Sequence, residues 1–303
     1  MLLGDEMKML IDDILSFCDS EYTNQGKGPI CNKCVHPASC GGGCENCLEE
    51  VHWHKESGMP DYLCPNIINF YACKYIYKYS SEIQYLLAES KVFSQIKDYH
   101  IVSIGCGASP DLMAIEGYFG SLEDKKISYL GFDINELWKP IHEQIINYSG
   151  HYSNMDVEYW YKDAIDYIKD HKIDKANILI LQYVISHFYK SNKIGEINSF
   201  FENIIKNIVI QKEDGVPFII IINDVNSCYT GRNTHQILVN KLKQNLFNTE
   251  ISKFYFDYNI SNSHQRYGKE HKHNSILYQI PQYLERYNPW ERCSGAQLLI
   301  EIS

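Results

Sequence analysis

Residues 99–111 read YHIVSIGCGASPD, and this stretch decides the fold. An apolar run ends at Gly105 and Gly107, and small residues and a proline follow. Glycine at both positions lets the backbone pass close to a ligand without a Cβ atom in the way, while Ser109 and Pro110 suit the first turn of a helix. The stretch therefore predicts a buried strand, a glycine-rich loop and a helix, in that order.

Strands and helices alternate along the rest of the chain. Apolar, β-branched runs predict strands at residues 100–104, 127–133, 157–163, 176–184 and 217–225, with helices from residues 109 and 136 and at 164–170, 195–209 and 234–247. Such alternation predicts a parallel sheet with helices on both faces. Two final strands, 251–260 and 296–303, have no strong helix between them, so we expect an antiparallel pair. The fold class is α/β, a doubly wound sheet of seven strands.

The chain before the glycine loop holds two helices around a cysteine-rich stretch. Helical spacing of apolar residues predicts a first helix within residues 5–22, and one long helix or two successive ones from residue 67 to about residue 96. We therefore expect a helix and a metal-binding module over residues 1–66, a connecting helix over 67–98 and the sheet domain over 99–303. The aromatic stripe of the connecting helix predicts that it packs on the sheet beside the ligand pocket.

The composition is that of a globular chain with an acidic balance. The chain has 303 residues, 45% of them hydrophobic, and a formal net charge of −10. The acidic balance disfavours phosphate-backbone binding to nucleic acid, although it does not exclude a local basic patch. No stretch approaches the roughly 20 apolar residues of a membrane span, and the N-terminus lacks a signal-peptide pattern. We expect a cytoplasmic protein without a membrane segment.

Two aspartates follow predicted strands at the edge where ligands bind in doubly wound sheets. Asp133 ends the second predicted strand, where a carboxylate can accept both hydroxyl groups of a ribose, and Asp163 ends the third. Either residue can equally be a helix cap. Together with the glycine loop, however, they have the order of contacts expected around one nucleoside.

At these positions the chain resembles the class I S-adenosylmethionine-dependent methyltransferases. IVSIGCGASPD is similar to their first motif, YLGFDIN to the second, YKDAIDY to the third and ILILQYVISHF to the fourth, over roughly residues 100–303. The resemblance implies a Rossmann-like sheet and S-adenosylmethionine as cofactor. The cofactor-binding residues that it implies are Gly105, Cys106, Gly107, Asp133, Ile134, Asp163, Ala164 and Gln182. Pro110 stands where a nicotinamide-binding loop has its third glycine, which argues against that cofactor.

The methyl acceptor is less well defined by the sequence. The fourth strand ends in Leu181-Gln182-Tyr183, which lacks the motifs of DNA methyltransferases, so a small molecule or a protein is the expected substrate. His187 is a candidate base and Asp224 a candidate substrate contact, with packing or helix capping as the alternative for each. Residues 261–294 are expected to form a lid with solvated histidines.

Seven of the eleven cysteines lie between residues 31 and 73. Two Cys-x-x-Cys pairs at this separation predict a zinc site made of thiolates, because such a site folds a segment that has little hydrophobic core. The predicted ligands are Cys31, Cys34, Cys40, Cys44, Cys47 and Cys64. Cys40, Cys44 and Cys47 also have the spacing of the radical S-adenosylmethionine motif, so an iron-sulfur cluster is the alternative.

The sequence thus predicts an S-adenosylmethionine-dependent methyltransferase with a zinc module. One alternative is a catalytically inactive, methyltransferase-like scaffold that binds a protein partner. Another is an RNA methyltransferase whose zinc module holds RNA, against which the acidic balance argues. The sequence does not identify the acceptor or the oligomeric state.

Overall fold

A computed structural model describes residues 9–24, 44–53, 62, 64–122, 124–227, 232–245, 247–257 and 266–303. Its strands are β1 (Asp98–Ile104), β2 (Lys126–Phe132), β3 (Met155–Trp160), β4 (Ile178–Gln182), β5 (Phe218–Val225), β6 (Thr249–Tyr255), β7 (Lys269–Glu270) and β8 (Gly295–Ile302). Its helices are α1 (Leu10–Asn24), α2 (Cys44–Trp53), α3 (Pro65–Glu89), α4 (Pro110–Phe119), α5 (Lys139–Ser149), α6 (Ala164–Asp170), α7 (Ile185–Lys190), α8 (Ile197–Asn207) and α9 (His235–Gln244).

The strands form one sheet in the order β3-β2-β1-β4-β5-β8-β6-β7. β1 to β5 pair in parallel, whereas β8 lies antiparallel between β5 and β6. Strand order reverses at β1, where Ile104 is level with Phe132 of β2 and Leu181 of β4. The carboxyl ends of these three strands therefore meet at one point of the edge, which is where a doubly wound sheet binds its ligand.

The predicted doubly wound α/β fold is confirmed, but the predicted number of seven strands is wrong. The described part of the sheet has eight strands, because β7 pairs in parallel with Phe254 and Tyr255 at the end of β6. This strand has only two residues, too few to produce a periodic pattern in the sequence. It lies in the segment expected to be a lid.

Helices cover both faces of the sheet because alternate strand residues point to opposite sides. Ile101 of β1 packs in a core with α1, α3, α4 and α5, whereas the adjacent Val102 packs in a second core with α6, α8 and α9. Two-sided burial explains why the central strands are apolar at nearly every position.

α3 is the long helix predicted from residue 67, and it lies against the carboxyl edge of the sheet. It contacts α1 and α4 along its length, and it reaches β5 and β8. Nineteen of its 25 residues are buried, including Ser80, Ser81 and Glu82. A single core joins α1 and α3 to the sheet. The proposed division of the chain at residues 66 and 98 stays a prediction.

Two predicted boundaries differ from the observed ones near the glycine loop. β3 ends at Trp160, three residues before Asp163, because the chain turns where the Lys162 N–H donates to the Trp160 carbonyl. Ser109 precedes α4 but does not cap it with its side chain, since its backbone is left-handed (φ 55°). Its hydroxyl lies 2.9 Å from the Tyr159 hydroxyl instead.

In the part of the chain that is described, no helix combines the length and apolar character needed to cross a membrane.

Candidate functional site

The glycine loop after β1 needs glycine for two separate reasons. Gly105 and Gly107 have φ angles of +65° and +51°, which residues with a Cβ atom rarely adopt. A Cβ atom on Gly105 would also lie 3.0 Å from Cγ2 of Val184, across the loop that follows β4. The loop therefore passes close to the end of β4.

Asp133 joins the end of β2 to this loop. One carboxylate oxygen accepts from the Gly107 N–H and the other from the Asn135 N–H, each at 2.9 Å. Burial raises the pKa of Asp133 to about 6, against the lowering effect of these two donors. A carboxylate has about four lone-pair sites. Asp133 can therefore still accept hydrogen bonds from a ligand.

A cluster of aromatic rings contacts the glycine loop at Gly107. It was not predicted from the sequence. The His142 ring stacks on Tyr159 at 3.7 Å between centroids, its Nε2 lies 2.6 Å from the Gly107 carbonyl oxygen, and its Nδ1 lies 3.0 Å from the Tyr161 hydroxyl. Burial lowers the pKa of His142 to about 4, so that the ring is neutral at physiological pH. A single histidine in an amphipathic helix carries no sequence signal for such a role.

Two further predicted cofactor-binding positions at the carboxyl edge of the sheet are the exposed Ile134 and Asp163, which precedes α6. Ile134 is 69% exposed, the largest exposure among the described large hydrophobic residues. Asp163 caps α6 through the Ile165 N–H at 2.9 Å, and its carboxylate lies 3.9 Å from Nζ of Lys193. Ala164 follows it and is buried. The capping role considered for Asp163 is present, while its contact with adenine stays a prediction.

Gln182 ends β4 and has an unsatisfied atom. Its Nε2 donates to the Tyr79 carbonyl of α3 at 2.9 Å, whereas its buried Oε1 has no hydrogen-bond partner among the described residues. A buried carbonyl oxygen without a partner is destabilising. Its position beside the glycine loop makes it a candidate acceptor for a ligand.

Aromatic rings line the α3 side of the same edge. Tyr71, Tyr75 and Tyr79 follow one another along the helix with centroids 5.0 and 5.5 Å apart, and Tyr79 reaches Tyr183 at 4.6 Å. The row begins near the glycine loop, where Trp138 lies 5.8 Å from Tyr71. Burial raises the pKa of Tyr71 to about 12, so its hydroxyl stays protonated. We call these four tyrosines with Trp138 the aromatic wall.

A buried ion pair connects the aromatic wall to β5 and β8. Nζ of Lys78 lies 3.2 Å from Oε1 of Glu82 and donates to the Tyr183 hydroxyl at 2.6 Å. The other oxygen of Glu82 accepts from Tyr183 and from Asn223, both at 2.8 Å. Tyr183 is left-handed (φ 58°), an uncommon conformation for a tyrosine. The signal for this pair was a lysine and a glutamate four residues apart in an otherwise apolar, aromatic helix.

The two residues predicted to be catalytic lie near the carboxyl ends of β4 and β5, His187 in α7 and Asp224 in β5. Asp224 is buried, and its oxygens accept from the N–H groups of Ser186 in α7 and of Val225, at 2.9 and 2.6 Å. His187 is exposed on α7. The capping alternative for Asp224 is therefore present, and the catalytic roles stay predictions.

Half of the predicted metal ligands, Cys31, Cys34 and Cys40, lie outside the described residues. Cys44 and Cys47 are one turn apart on α2, and Cys64 directly precedes α3. Within the described ranges, no group of three or more His, Cys, Asp or Glu residues has the geometry of a metal site. The zinc site thus has no support from the described part of the chain.

Comparison with known proteins relates this architecture to methyltransferases by fold alone. No family model and no curated protein matches the sequence. A SAM-dependent methyltransferase from Archaeoglobus fulgidus is 16% identical, with 74% of this chain and 94% of that chain covered and a TM-score of 0.40. The plantazolicin methyltransferase BamL, solved with a triazolic desmethylPZN analog and SAH, is 11% identical, with coverages of 97% and 99% and a TM-score of 0.43. WbdD is 9% identical, with coverages of 93% and 47% and a TM-score of 0.44.

Proposed function

We propose that this chain is an S-adenosylmethionine-dependent methyltransferase. The observation that carries the proposal is the hydrogen bond between the Asp133 carboxylate and the Gly107 N–H, which joins the ends of β1 and β2 in one site. Residues 26 positions apart in the sequence thus form a single surface that carries a carboxylate. Structural similarity at low sequence identity does not define activity, so the proposal depends on these residues.

The residues at this edge fit S-adenosylmethionine. Gly105 and Gly107 form the loop along which the methionine part would lie, and Asp133 can accept the ribose hydroxyls. Ile134 offers an exposed apolar surface to the adenine. The buried Oε1 of Gln182 can accept from the ligand's amino group. S-adenosylmethionine supplies a methyl group on a positively charged sulfur, and transfer is an in-line displacement that mainly requires alignment.

The aromatic wall supports the placement of an acceptor on the α3 side of the loop. Gln182 donates to the backbone of Tyr79 in this wall, and the Lys78–Glu82 pair holds Tyr183 at the end of β4. Burial keeps the hydroxyls of Tyr71 and Tyr79 protonated by raising the pKa of each, so they can donate hydrogen bonds but cannot act as bases near neutral pH. An acceptor that needs deprotonation requires another base, for which His187 is our candidate.

Calorimetric titration of the full chain with S-adenosylhomocysteine tests the proposal. We expect saturable binding at one site per chain. Replacing Gln182 by leucine should weaken binding about tenfold, since it removes a hydrogen-bond acceptor for a charged amino group. The exposed Gln244 at the end of α9 provides the control, and Gln244→Leu should bind as the wild type. Absence of binding to the wild type would contradict the proposed function, while binding without methyl transfer to any acceptor would favour the scaffold alternative.

Cofactor affinity should fall as the solution becomes acidic. The pKa of Asp133 is raised to about 6, so its carboxylate takes up a proton as the pH falls through that value and loses its ability to accept two ribose hydroxyls. We expect binding of S-adenosylhomocysteine to be about tenfold weaker at pH 5 than at pH 7.5, from the protonated fraction. His142 stays largely neutral in this range because its pKa is about 4. Asp133→Asn should bind weakly with no pH dependence, and a wild-type affinity that is constant from pH 7.5 to 5 would refute this role.

The cysteine-rich segment remains a proposed zinc module. Its support is the pair of Cys-x-x-Cys sequences at residues 31–34 and 44–47. We expect about one zinc ion per chain by elemental analysis after purification without added metal, and loss of that ion in Cys31→Ser. Cys293→Ser is the matched control, since Cys293 lies far along the chain beside β8 and should leave the zinc content unchanged. Iron with acid-labile sulfide in place of zinc would support the cluster alternative.

A further inference from the structure

An open cleft lies between α9 and β6, away from the glycine loop. Its volume is about 420 Å³, and its lining residues are Arg232, Asn233, Gln236, Lys253, Arg266 and Tyr267. Three of these six residues are positively charged and none is negatively charged. This local charge is opposite to the net charge of −10 of the whole chain. Such a cluster is unexpected on a chain with ten more acidic than basic residues.

Two of the cations are held over the same ring. The guanidinium of Arg232 lies 5.5 Å from the centroid of Tyr267, and Nζ of Lys253 lies 5.4 Å from it. Arg232 is only 4% exposed and donates to Oδ1 of Asn226 at 2.6 Å, while Lys253 donates to Oε1 of Gln236 at 3.1 Å. These neutral partners orient the two cations without cancelling their charge.

Two of the three cations form no ion pair with a carboxylate of the described residues. Lys253 and Arg266 have no carboxylate oxygen within 4.0 Å in the described ranges. The segment 226–236 contains no aspartate or glutamate, and Asp257 and Glu270 flank the segment 258–269. Three cations close together repel one another, and an anion bound between them relieves that repulsion.

A buried histidine contacts Tyr267, the aromatic residue that lines the cleft. His235 is fully buried, and its Nδ1 lies 2.9 Å from the Tyr267 hydroxyl. Burial and the nearby Lys253 and Arg232 lower its pKa to about 3, so the ring carries no charge near neutral pH. The positive charge of the site therefore resides on the three side chains that line the cleft.

We propose that this cleft binds a phosphate group of a small molecule. Guanidinium and ammonium groups donate charge-assisted hydrogen bonds to phosphate oxygens, and three cations match the charge of a phosphate monoester better than that of a single carboxylate. Asn233 and Gln236 flank the start of α9, where the helix dipole adds a favourable field for an anion. The inference does not depend on the proposed methyltransferase activity.

The cleft is separate from the proposed cofactor site. Four strand spacings separate β1 from β6 in the sheet order, which corresponds to roughly 19 Å at about 4.8 Å per spacing. Both sites lie towards the carboxyl edge of the sheet, since Asn226 follows β5 and Tyr255 is level with Ala296 at the start of β8. Phosphate bound in the cleft should therefore leave S-adenosylhomocysteine binding unchanged.

Thermal unfolding of the full chain in sodium phosphate tests the proposal, with sodium acetate and sodium chloride at equal ionic strength and pH 7.5 as references. We expect a saturable rise in melting temperature with phosphate alone, because a ligand that binds only the folded state stabilises it. The double variant Lys253→Gln/Arg266→Gln should bind phosphate at least about tenfold more weakly, as charge-assisted hydrogen bonds are lost.

A charge-matched control separates binding from general screening. Lys172→Gln/Lys206→Gln removes two exposed lysines, one after α6 and one near the end of α8, and should respond to phosphate as the wild type does. An equal response to acetate, or an equal loss in both double variants, would overturn the phosphate site. S-adenosylhomocysteine titration of the cleft variant should match the wild type, so that failure of the methyltransferase proposal is detected independently.

Discussion

Glu82→Ala should be among the most destabilising single substitutions in the chain. Glu82 is fully buried, pairs with Lys78 Nζ at 3.2 Å and accepts hydrogen bonds from four donors: the Tyr183 hydroxyl, Asn223 Nδ2 and the N–H groups of Ser294 and Gly295. Alanine would leave the buried ammonium of Lys78 without its counter-charge. Breaking a buried ion pair from one side costs about 3–5 kcal/mol, and a domain has only about 5–15 kcal/mol of stability in total. Urea unfolding monitored by circular dichroism measures the change.

Glu89→Ala is the matched control on the same helix. Glu89 pairs with Lys269 at 3.0 Å, but both side chains are substantially solvent-accessible. Its replacement should cost no more than about 1 kcal/mol, as for other surface ion pairs. The double variant Lys78→Met/Glu82→Gln should recover part of the stability lost in Glu82→Ala, because no unpaired charge remains buried. Equal losses in Glu82→Ala and Glu89→Ala would show that the buried network contributes little.

Asp133→Ala should weaken binding of S-adenosylhomocysteine by about ten- to a hundredfold, which follows from the loss of charge-assisted hydrogen bonds of about 1.5–3 kcal/mol. The substitution also leaves the Gly107 and Asn135 N–H groups without their acceptor, so the loop loses its link to the end of β2. Calorimetry on the full chain measures the affinity, and the melting temperature reports whether the fold persists.

Glu136→Ala provides the comparison for this site. Glu136 is an exposed carboxylate three residues after Asp133, so its removal changes the net charge equally. The affinity of the Glu136→Ala variant for S-adenosylhomocysteine should stay within about twofold of the wild type, as is usual for exposed charges. Wild-type affinity in Asp133→Ala would mean that the ribose does not bind at the end of β2.

Local patterns were sufficient for the strand-helix alternation and for the glycine loop. Two-sided burial makes β4 and β5 apolar at most positions and gives β1 its apolar run, and this pattern is visible in the chain without any knowledge of neighbours. The glycines at positions 105 and 107 are likewise a local signal, because the loop has positive φ angles there and glycine adopts such angles readily. The edge strand β7 was missed because two residues have no measurable period.

The sequence by itself determined the doubly wound fold and the positions of Asp133, Gln182 and the glycine loop at strand ends, since strand alternation and turn chemistry are local properties. Only the tertiary structure decided what those residues contact. The pairing of Glu82 with Asn223 joins residues 141 positions apart, and the basic cleft joins α9 to β6. Such contacts depend on the order in which the strands pack. Hydrogen bonds and charge interactions act over a few ångströms in space, whatever the separation along the chain.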